Sequence, residues 1–166
     1  KTVVGYLPDM VTFNEDGTKV LVANEGEPDA TSGTYVDVAG SVGIVTITNA
    51  DKNENANGYA EVNFSSAILT AATDKTEVRL GGTPSNDKSL DIEPEYIAVS
   101  GDYAYVTLQE NNAIAKINIS GTTPTLELVK SLGAKDYSSE NTIDIEEEGL
   151  TLLKNYQGLY GLYMPD

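Results

Sequence analysis

The chain has 166 residues, of which 26 are acidic and 10 are basic, so its net charge at neutral pH is −16. A charge of this sign repels phosphate backbones and anionic lipid surfaces, which makes nucleic acid a poor partner. Because the chain has no cysteine and no histidine, disulfides, Cys-based zinc sites and Ser-His-Asp or Cys-His catalysis are excluded. No run of residues approaches the roughly 18 apolar residues of a membrane span.

The first 64 residues predict four short β-strands. Residues 10–13 and 19–23 flank a turn in which Asp16-Gly17 supplies the positive φ of a tight hairpin. Residues 42–47 and 61–64 are the third and fourth strands. The polar residues 26–40 and 49–58 are interpreted as surface loops between them.

The same pattern returns later in the chain. Pro94-Glu95-Tyr96-Ile97 matches Pro8-Asp9-Met10-Val11, and strands are predicted at 104–106, 114–119 and 126–129. The last residues, 163–166, match the beginning of the pattern again. We therefore expect one propeller segment with a blade repeat at 7–70, another at 93–133 and the start of a third at 163–166, because a recurring unit of this kind indicates a repeat architecture.

These strands predict an all-β fold, a β-propeller segment of about two four-stranded blades within a larger, seven-bladed propeller. The second strand of each unit is apolar on both sides, as expected for a sheet covered on both faces. A two-sheet sandwich is the alternative, but it predicts that apolar and polar residues alternate along each strand, and it does not explain the repeat. The packed faces are expected to contain Val11, Phe13, Leu21, Val45, Ile97, Val99, Val106 and Ile117.

A two-blade piece leaves its outer apolar faces open, which is a liability for a monomer. We expect the remaining blades of the same propeller, or other chains, to cover them. The connection at 70–89 is predicted to be surface loop, and so are residues 134–153, where Glu146-Glu147-Glu148-Gly149 is an acidic loop or a short helical turn.

Acidic residues recur at two kinds of position that the blade pattern brings to the same rim of the propeller. The segment leading into the first strand and the segment leaving the second strand open on the same side of a propeller blade. Carboxylates gathered there raise each other's pKa or recruit a cation, and Ca²⁺ accepts six to eight oxygen ligands. The alternative is that these acids are solvated turn residues. The acidic rim consists of Asp9, Glu25, Glu27, Asp29, Glu93, Glu95, Glu110 and Asp166.

A second candidate calcium loop begins at Asp51. Oxygen-bearing side chains alternate along residues 51–58, as at the start of an EF-hand loop. Ala56 stands where that loop has glycine, and Val62 stands where it has a bidentate glutamate. An Asn- and Gly-rich hairpin loop explains the same residues.

Residues 7–13, 22–28, 40–42, 93–99 and 105–115 resemble the choice-of-anchor I family, which is similar to mesenchyme-specific cell-surface glycoproteins of biomineralising tissue. The most specific motifs are Ala23-Asn24-Glu25-Gly26-Glu27-Pro28 and Leu108-Gln109-Glu110-Asn111-Asn112-Ala113. The resemblance covers essentially the whole chain and implies a secreted or cell-surface β-propeller. It also implies anchoring modules or phosphatase domains in some members, and a link to calcium. The family pattern continues beyond Pro165-Asp166, and residues 144–149 match it only loosely.

Two functions follow from these observations. The first is a noncatalytic extracellular or cell-surface module that binds Ca²⁺, a partner or both through the acidic rim. The second is a Ca²⁺-dependent phosphoester hydrolase, either phytase-like or alkaline-phosphatase-like, in which cations would hold phosphate and activate water. Lys52, Lys75, Arg79 and Lys88 are the nearby basic residues, but none lies within the repeated rim motifs, which favours the noncatalytic function.

Overall fold

The structure is a computed structural model, and it describes residues 1–29, 33–48, 58–65, 73–74, 78–80, 87–143, 154–155, 157, 159–163 and 165. Almost all regular structure in this part of the chain is β-strand, with one 3₁₀ turn at Lys88–Asp91. The strands are β1 Pro8–Phe13, β2 Lys19–Asn24, β3 Ser41–Thr46, β4 Gly58–Asn63, β5 Thr73–Asp74, β6 Pro94–Ser100, β7 Tyr103–Leu108, β8 Ala113–Asn118, β9 Thr125–Ser131, β10 Ala134–Asp136 and β11 Tyr160–Leu162.

The first sheet is an antiparallel meander in the order β1-β2-β3-β4. Its hairpin turn forms as predicted, because Gly17 adopts a φ of 70° and its N–H donates to the Asn14 carbonyl at 3.1 Å. The Asp16 carboxylate accepts a hydrogen bond from the Thr18 N–H at 2.9 Å and closes the turn. Each strand therefore pairs with its neighbour in sequence, which confirms the predicted four-stranded unit.

The second sheet repeats this meander as β6-β7-β8-β9 and adds β5 at its outer edge. β5 pairs in parallel with β9, Thr73 opposite Val129. This short strand lies within the predicted surface loop at 70–89, so that prediction is wrong there. Two residues without alternation give no recognisable strand signal, and the pairing depends on β9 from a distant part of the sequence.

The two sheets pack face to face around one hydrophobic core. The first sheet contributes Leu21, Ala23 and Ile44, and the second contributes Val106 and Ile117, all with at most 3% of their surface exposed. These residues come from strands that alternate sides, so one face of each sheet forms the core. The arrangement confirms an all-β segment built from two neighbouring four-stranded antiparallel units.

Polar contacts fix the two sheets together at their turn ends. The ammonium group of Lys19, at the start of β2, donates to the carbonyl of Ile119 and to that of Gly121 at 2.9 Å. From the first hairpin turn, the carboxylate of Glu15 accepts the N–H of Gly101 at 3.0 Å. The turn of the first unit is thereby bound to the turns of the second.

Val11 and Phe13 do not lie in a packed face, which corrects the sequence prediction. They are 63% and 61% exposed because they point to the side of β1 away from the second sheet. Leu21, Ile97, Val106 and Ile117 are buried in the core as predicted, and Val99 is partly buried against it. Val45 is 7% exposed, but it lies on the same side of the first sheet as Phe13 and is not part of the core.

The second strands of the two units differ in burial. Leu21 to Asn24 of β2 are buried without interruption, as predicted, whereas β7 alternates and leaves Tyr105 40% exposed. The prediction for β7 is wrong at its outward side chains: each sheet meets the other on one face only in the described structure, but the outward Val22 of β2 is 7% exposed, whereas the outward Tyr105 of β7 remains 40% exposed. Its apolar sequence includes a tyrosine, whose ring tolerates partial exposure.

Residues 134–136 form β10 and pair with β11, so the predicted loop at 134–153 is wrong at its beginning. Residues 144–153 lie outside the described part of the chain. At the start of the predicted third repeat, the Tyr163 N–H donates to the Asn112 side chain at 2.9 Å, while Met164 and Asp166 lie outside the described residues.

Candidate calcium-binding rim

The acidic rim lies where the segments before β1 and β6 pass the ends of β2 and β7. The N–H of Glu25 donates to the Leu7 carbonyl at 2.8 Å, which holds the end of β2 against the segment leading into β1. Leu7 itself adopts a positive φ of 47°. A bulky residue rarely does so, and such strain is concentrated at functional sites.

The first strands of the two units, β1 and β6, are irregular at this end. The register of β1 shifts between Pro8 and Met10, and that of β6 shifts between Pro94 and Ile97. Bulges of this kind redirect a side chain at the end of a strand. They place Asp9 and Glu95 at corresponding points of the two units.

Glu95 is the most buried acid of the rim, with 9% of its surface exposed. The hydrogen-bond network assigns the amide nitrogen of Gln109 to the side facing Glu95, where it donates to both carboxylate oxygens at 2.8 and 2.6 Å. Burial, followed by the charge and hydrogen bond of Glu110, raises the pKa of Glu95 to about 7. Two carboxylates can share a hydrogen bond only when one carries a proton, and Glu95 retains its proton up to a pH of about 7.

Glu93 and Glu25 show that acids from both units meet. Burial and then the charges of Glu110, Glu25, Glu27 and Asp91 raise the pKa of Glu93 to about 7. Burial also raises the pKa of Glu25, and the charges of Glu27, Asp9 and Glu110 raise it further. Six of the eight acids of the rim therefore lie close enough to destabilise one another when ionised: Asp9, Glu25, Glu27, Glu93, Glu95 and Glu110.

Of the remaining predicted acids, the structure describes only Asp29, which is not part of this group. The backbone of Asp29 forms an antiparallel bridge with Val36, and Asp29 is not among the charges that raise these three pKa values. Asp51 and Asp166 lie outside the described residues.

Sequence reasoning missed the neutral groups that hold the rim in place. The Asn111 side chain accepts the Glu93 N–H at 3.2 Å and donates to the Arg79 carbonyl at 3.1 Å. Asn111 is completely buried, so the connection between β7 and β8 is a fixed support for the acids. Asn111 and Asn112 lie between the strands predicted at 104–106 and 114–119, and the sequence predicted no role for them. Buried amides are usually hydrogen-bonded, as Asn111 is here.

Arg79 is a basic residue beside the acidic rim. Its guanidinium Nη1 donates to the Glu110 carbonyl at 3.3 Å, and its own N–H donates to the Asn111 carbonyl at 2.9 Å. The side chain is exposed. A guanidinium in this position can also bind an anionic group.

The donor set of the rim fits a hard cation such as Ca²⁺. Glu110 Oε2 is buried and accepts no hydrogen bond from an amide, hydroxyl or basic group of the described residues, so the proton of Glu95 or a cation is left to satisfy this carboxylate. Carboxylates are preferred calcium ligands. Among the described residues no three acids already form a group that could hold a metal ion, so binding requires their side chains to turn toward one another.

Comparison with known proteins gives one result. A family model for the choice-of-anchor I domain matches residues 1–166. No curated protein and no solved structure matches the chain. The similarity to mesenchyme-specific glycoproteins therefore stays a prediction. Within the described residues there is no helix long and apolar enough to cross a membrane.

Proposed function

Because the chain belongs to the choice-of-anchor I family, we propose that it is a noncatalytic extracellular or cell-surface β-propeller module whose acidic rim binds Ca²⁺. Choice-of-anchor domains are associated with cell-surface proteins. The observation that supports calcium binding is the convergence of six rim acids from both units, with Glu93 and Glu95 near a pKa of 7. A bound divalent cation would replace the proton that these groups otherwise need.

The proposed ligands are the acids nearest the shared proton, Glu95 and Glu110, together with Glu25 and Glu93. Glu27 and Asp9 act on Glu25 through their charge and complete the set from the first unit. Asp29 and Asp51 remain proposals from the sequence alone. When bound, the ion would neutralise the carboxylates and join the two units, because its ligands come from both.

Calorimetry and thermal unfolding with added CaCl₂ test this function. Binding to the folded state alone raises the free energy of unfolding by about 2.7 kcal/mol at a calcium concentration one hundred times the dissociation constant. We expect Mg²⁺ to substitute poorly, because it requires a tight octahedron and keeps its waters. The double variant Glu95→Gln, Glu110→Gln should lose the calcium response.

Glu140→Gln is the matched control for the calcium test. It removes one carboxylate charge from an exposed turn that contributes nothing to the pKa shifts of the rim. The control should keep the full calcium response. Absence of both a binding heat and a melting shift in the unmodified chain would leave the rim acids as solvated turn residues.

A Ca²⁺-dependent phosphoester hydrolase is the second candidate, and Arg79 favours it. Its guanidinium lies at the rim, where a phosphate held by cations would need a basic partner. Turnover of p-nitrophenyl phosphate in the presence of calcium decides between the two functions. We expect no turnover; hydrolysis that disappears in both Arg79→Gln and the double variant Glu25→Gln, Glu95→Gln would support the enzyme.

Part of the proposed function concerns partners. The outward faces of both sheets carry large exposed apolar side chains, which include Phe13 and Tyr96. We propose that the remaining blades of a propeller, or other chains, cover these faces. Seven blades is the proposed size of the complete ring.

A further inference from the structure

The turn at residues 109–112, which we call the rim turn, fixes two residues that calcium binding does not use. The backbone N–H of Arg79 donates to the Asn111 carbonyl at 2.9 Å, and the backbone N–H of Tyr163 donates to the Asn112 side chain, also at 2.9 Å. Asn111 and Asn112 are both completely buried. An arginine and a tyrosine are therefore attached to adjacent residues of one fixed turn, beside the acids of the rim.

Arg79 is held so that its side chain points away from the core. Val78 and Leu80, on either side of it, pack against the hydrophobic core, whereas Arg79 is exposed. Its Nη1 donates to the Glu110 carbonyl at 3.3 Å, and the guanidinium forms no ion pair with an acid of the described residues. A guanidinium binds a carboxylate most strongly through two parallel N–H groups, and the other N–H groups of this fork are open to such a ligand.

Tyr163 adds an exposed aromatic ring at the same turn. Its residue is 56% exposed, although its backbone is bound to the buried Asn112. The first unit has a counterpart, because Tyr6 holds the same place in the repeated pattern, is 36% exposed and accepts the Gly26 N–H at 3.2 Å. A tyrosine combines a flat apolar ring with a polar tip, and the C–H groups of a sugar ring pack on such a face.

We propose that the calcium-loaded rim binds an acidic saccharide, a chain of uronic acid units, with a carboxylate on the Arg79 guanidinium and a sugar ring on Tyr163. This inference deepens the proposed function and rests on it, because the saccharide requires the bound ion. Ca²⁺ accepts six to eight oxygen ligands, and the hydroxyl and carboxylate oxygens of a uronic acid are of this kind. No bond is made or broken, so the ligand suits a noncatalytic surface module.

Charge explains why the ion is required. The chain carries a net charge of −16, and six acids converge at the rim, so without a cation the rim repels a polyanion. A divalent ion reduces that repulsion and allows the guanidinium of Arg79 to attract a carboxylate. Calcium and the saccharide are therefore linked, and each raises the affinity for the other by the same factor.

The combination of a carboxylate and a ring distinguishes this ligand from two others. An acidic peptide such as triglutamate supplies carboxylates to Arg79 and to the ion, but it has no ring for Tyr163. A neutral saccharide such as maltotriose supplies rings for Tyr163, but it has no anion for Arg79. Only a uronic acid chain uses both side chains of the rim turn.

Isothermal titration calorimetry of trigalacturonate into the full chain, in millimolar calcium and in EDTA, tests the proposal. We expect binding in calcium that is weaker by about tenfold or more in EDTA, the size of a typical coupling between two sites. Titration of trigalacturonate into calcium alone is the blank. Triglutamate and maltotriose should bind much more weakly than trigalacturonate, and equal binding of either would overturn the proposal.

Arg79→Gln should weaken trigalacturonate by about tenfold or more, as expected for lost hydrogen bonds between charged groups. It should keep the binding heat of calcium, which verifies that the variant is folded. Arg79→Lys keeps the charge but not the fork and should recover only part of the loss. Lys116→Gln is the matched control, since it removes a positive charge that is paired with Glu127 away from the rim turn; it should bind trigalacturonate like the unmodified chain.

Tyr163→Ala should also weaken trigalacturonate and keep the binding heat of calcium. Tyr105→Ala is its control, because Tyr105 is 40% exposed but lies within β7. Binding that is equally strong in EDTA, or unchanged in Arg79→Gln or in Tyr163→Ala, would overturn the inference. A calcium heat without any trigalacturonate heat in the unmodified chain would overturn it and leave the calcium function standing. Absence of both heats would overturn the two together.

Discussion

The two units of the chain share a meander but hold their rim acids differently. In the first unit a long connection, residues 25–40, follows β2, and Glu27 is exposed within it. In the second unit a tight turn follows β7, the Asn111 side chain is buried and fully hydrogen-bonded, and Glu95 is 9% exposed. The pKa values of about 7 occur at Glu93 and Glu95, both in the second unit.

In both units burial is the first cause of the raised pKa, and the charges of neighbouring acids raise it further. Both units contribute carboxylates of the same kind, and burial is the largest cause of the shift at Glu25, Glu93 and Glu95. The rigid turn of the second unit removes water from its acids, whereas the loop of the first leaves Glu27 solvated. The second unit therefore provides the fixed half of the rim.

The largest effect on stability is expected when a phenylalanine is shortened in the core, and the same change on the open face should have almost no effect. The chain contains two phenylalanines, Phe64 with 0% and Phe13 with 61% of its surface exposed. Phe64→Ala should lower the free energy of unfolding by about 3–5 kcal/mol, the usual cost of a cavity in a core. Phe13→Ala should change it by about 0.5 kcal/mol or less in the monomer. Urea unfolding of both variants at low protein concentration measures the difference, and equal effects would mean that the two faces are not distinct.

The next effect concerns the contact between the first unit and the segment leading into the second. A Cβ on Gly40 would stand 2.3 Å from the Ile92 carbonyl oxygen and 2.5 Å from Pro94 Cδ. Gly40→Ala should therefore destabilise the chain by about 1–3 kcal/mol through overpacking. Gly58→Ala is the control, because its nearest neighbour would be 3.9 Å away. Urea unfolding compares the two, and a neutral Gly40→Ala would show that the units are not held at this point.

A smaller effect is expected where the turns of the two units meet. Lys19→Met keeps the aliphatic stem of the side chain but removes the hydrogen bonds to the carbonyls of Ile119 and Gly121. The free energy of unfolding should decrease by about 1–2 kcal/mol, as expected for the loss of hydrogen bonds from a charged group. Lys135→Met, at an exposed position of β10, serves as the control for removing a positive charge. If both variants unfold at the same urea concentration, the Lys19 contact contributes nothing.

The smallest effect depends on pH and tests the buried acid of the second unit. The pKa of Glu95 is raised from the ordinary value of 4.5 to about 7, so the folded chain binds a proton more tightly than the unfolded chain. The resulting stabilisation is fully present below pH 4.5 and is lost as the pH rises through about 7. Glu95→Gln should remove the part of this dependence that Glu95 contributes, while Glu93 keeps its own. Above pH 7 it should stabilise the calcium-free chain by about 1 kcal/mol.

Urea unfolding between about pH 2 and 9 measures the pH effect. Asp16→Asn tests a contribution to stability with the opposite pH dependence, since hydrogen bonds from Thr18 lower the pKa of Asp16. The stabilisation by Asp16 is present above pH 3.8 and decreases as the pH falls through its lowered pKa. An unchanged pH profile in Glu95→Gln would show that the second unit does not hold its proton at this residue.

The sequence was sufficient to predict the strands within about two residues at most boundaries, because each meander strand pairs with its neighbour and the hairpin turns carry clear Gly signals. It also placed Glu95 and Glu110 at one rim from the repeat alone. It could not show that Gln109 donates to Glu95 or that Asn111 is buried, since both depend on how distant segments meet. The same reason explains why β5 and β10 were missed.

The exposure of Val11 and Phe13 was predicted wrongly for another reason. Their apolar alternation is typical of a face that packs against another sheet, but in the described structure this face of β1 is exposed. Which units are present around that face is a property of the assembly, and a pattern within one strand does not contain it.

The long connection of the first unit is closed at its base. A Cβ on Gly26 would lie 2.6 Å from the Gly40 backbone nitrogen, and the Asp29 and Val36 backbones are paired by hydrogen bonds of 2.9 and 2.8 Å. Contacts at the two ends of this loop therefore offset the entropic cost of closing it. Additional residues inserted within the loop raise that entropic cost only slightly. The position between Asp29 and Val36 is thus suited to carry a foreign peptide or a whole inserted domain, displayed next to the rim without altering the strands beneath it.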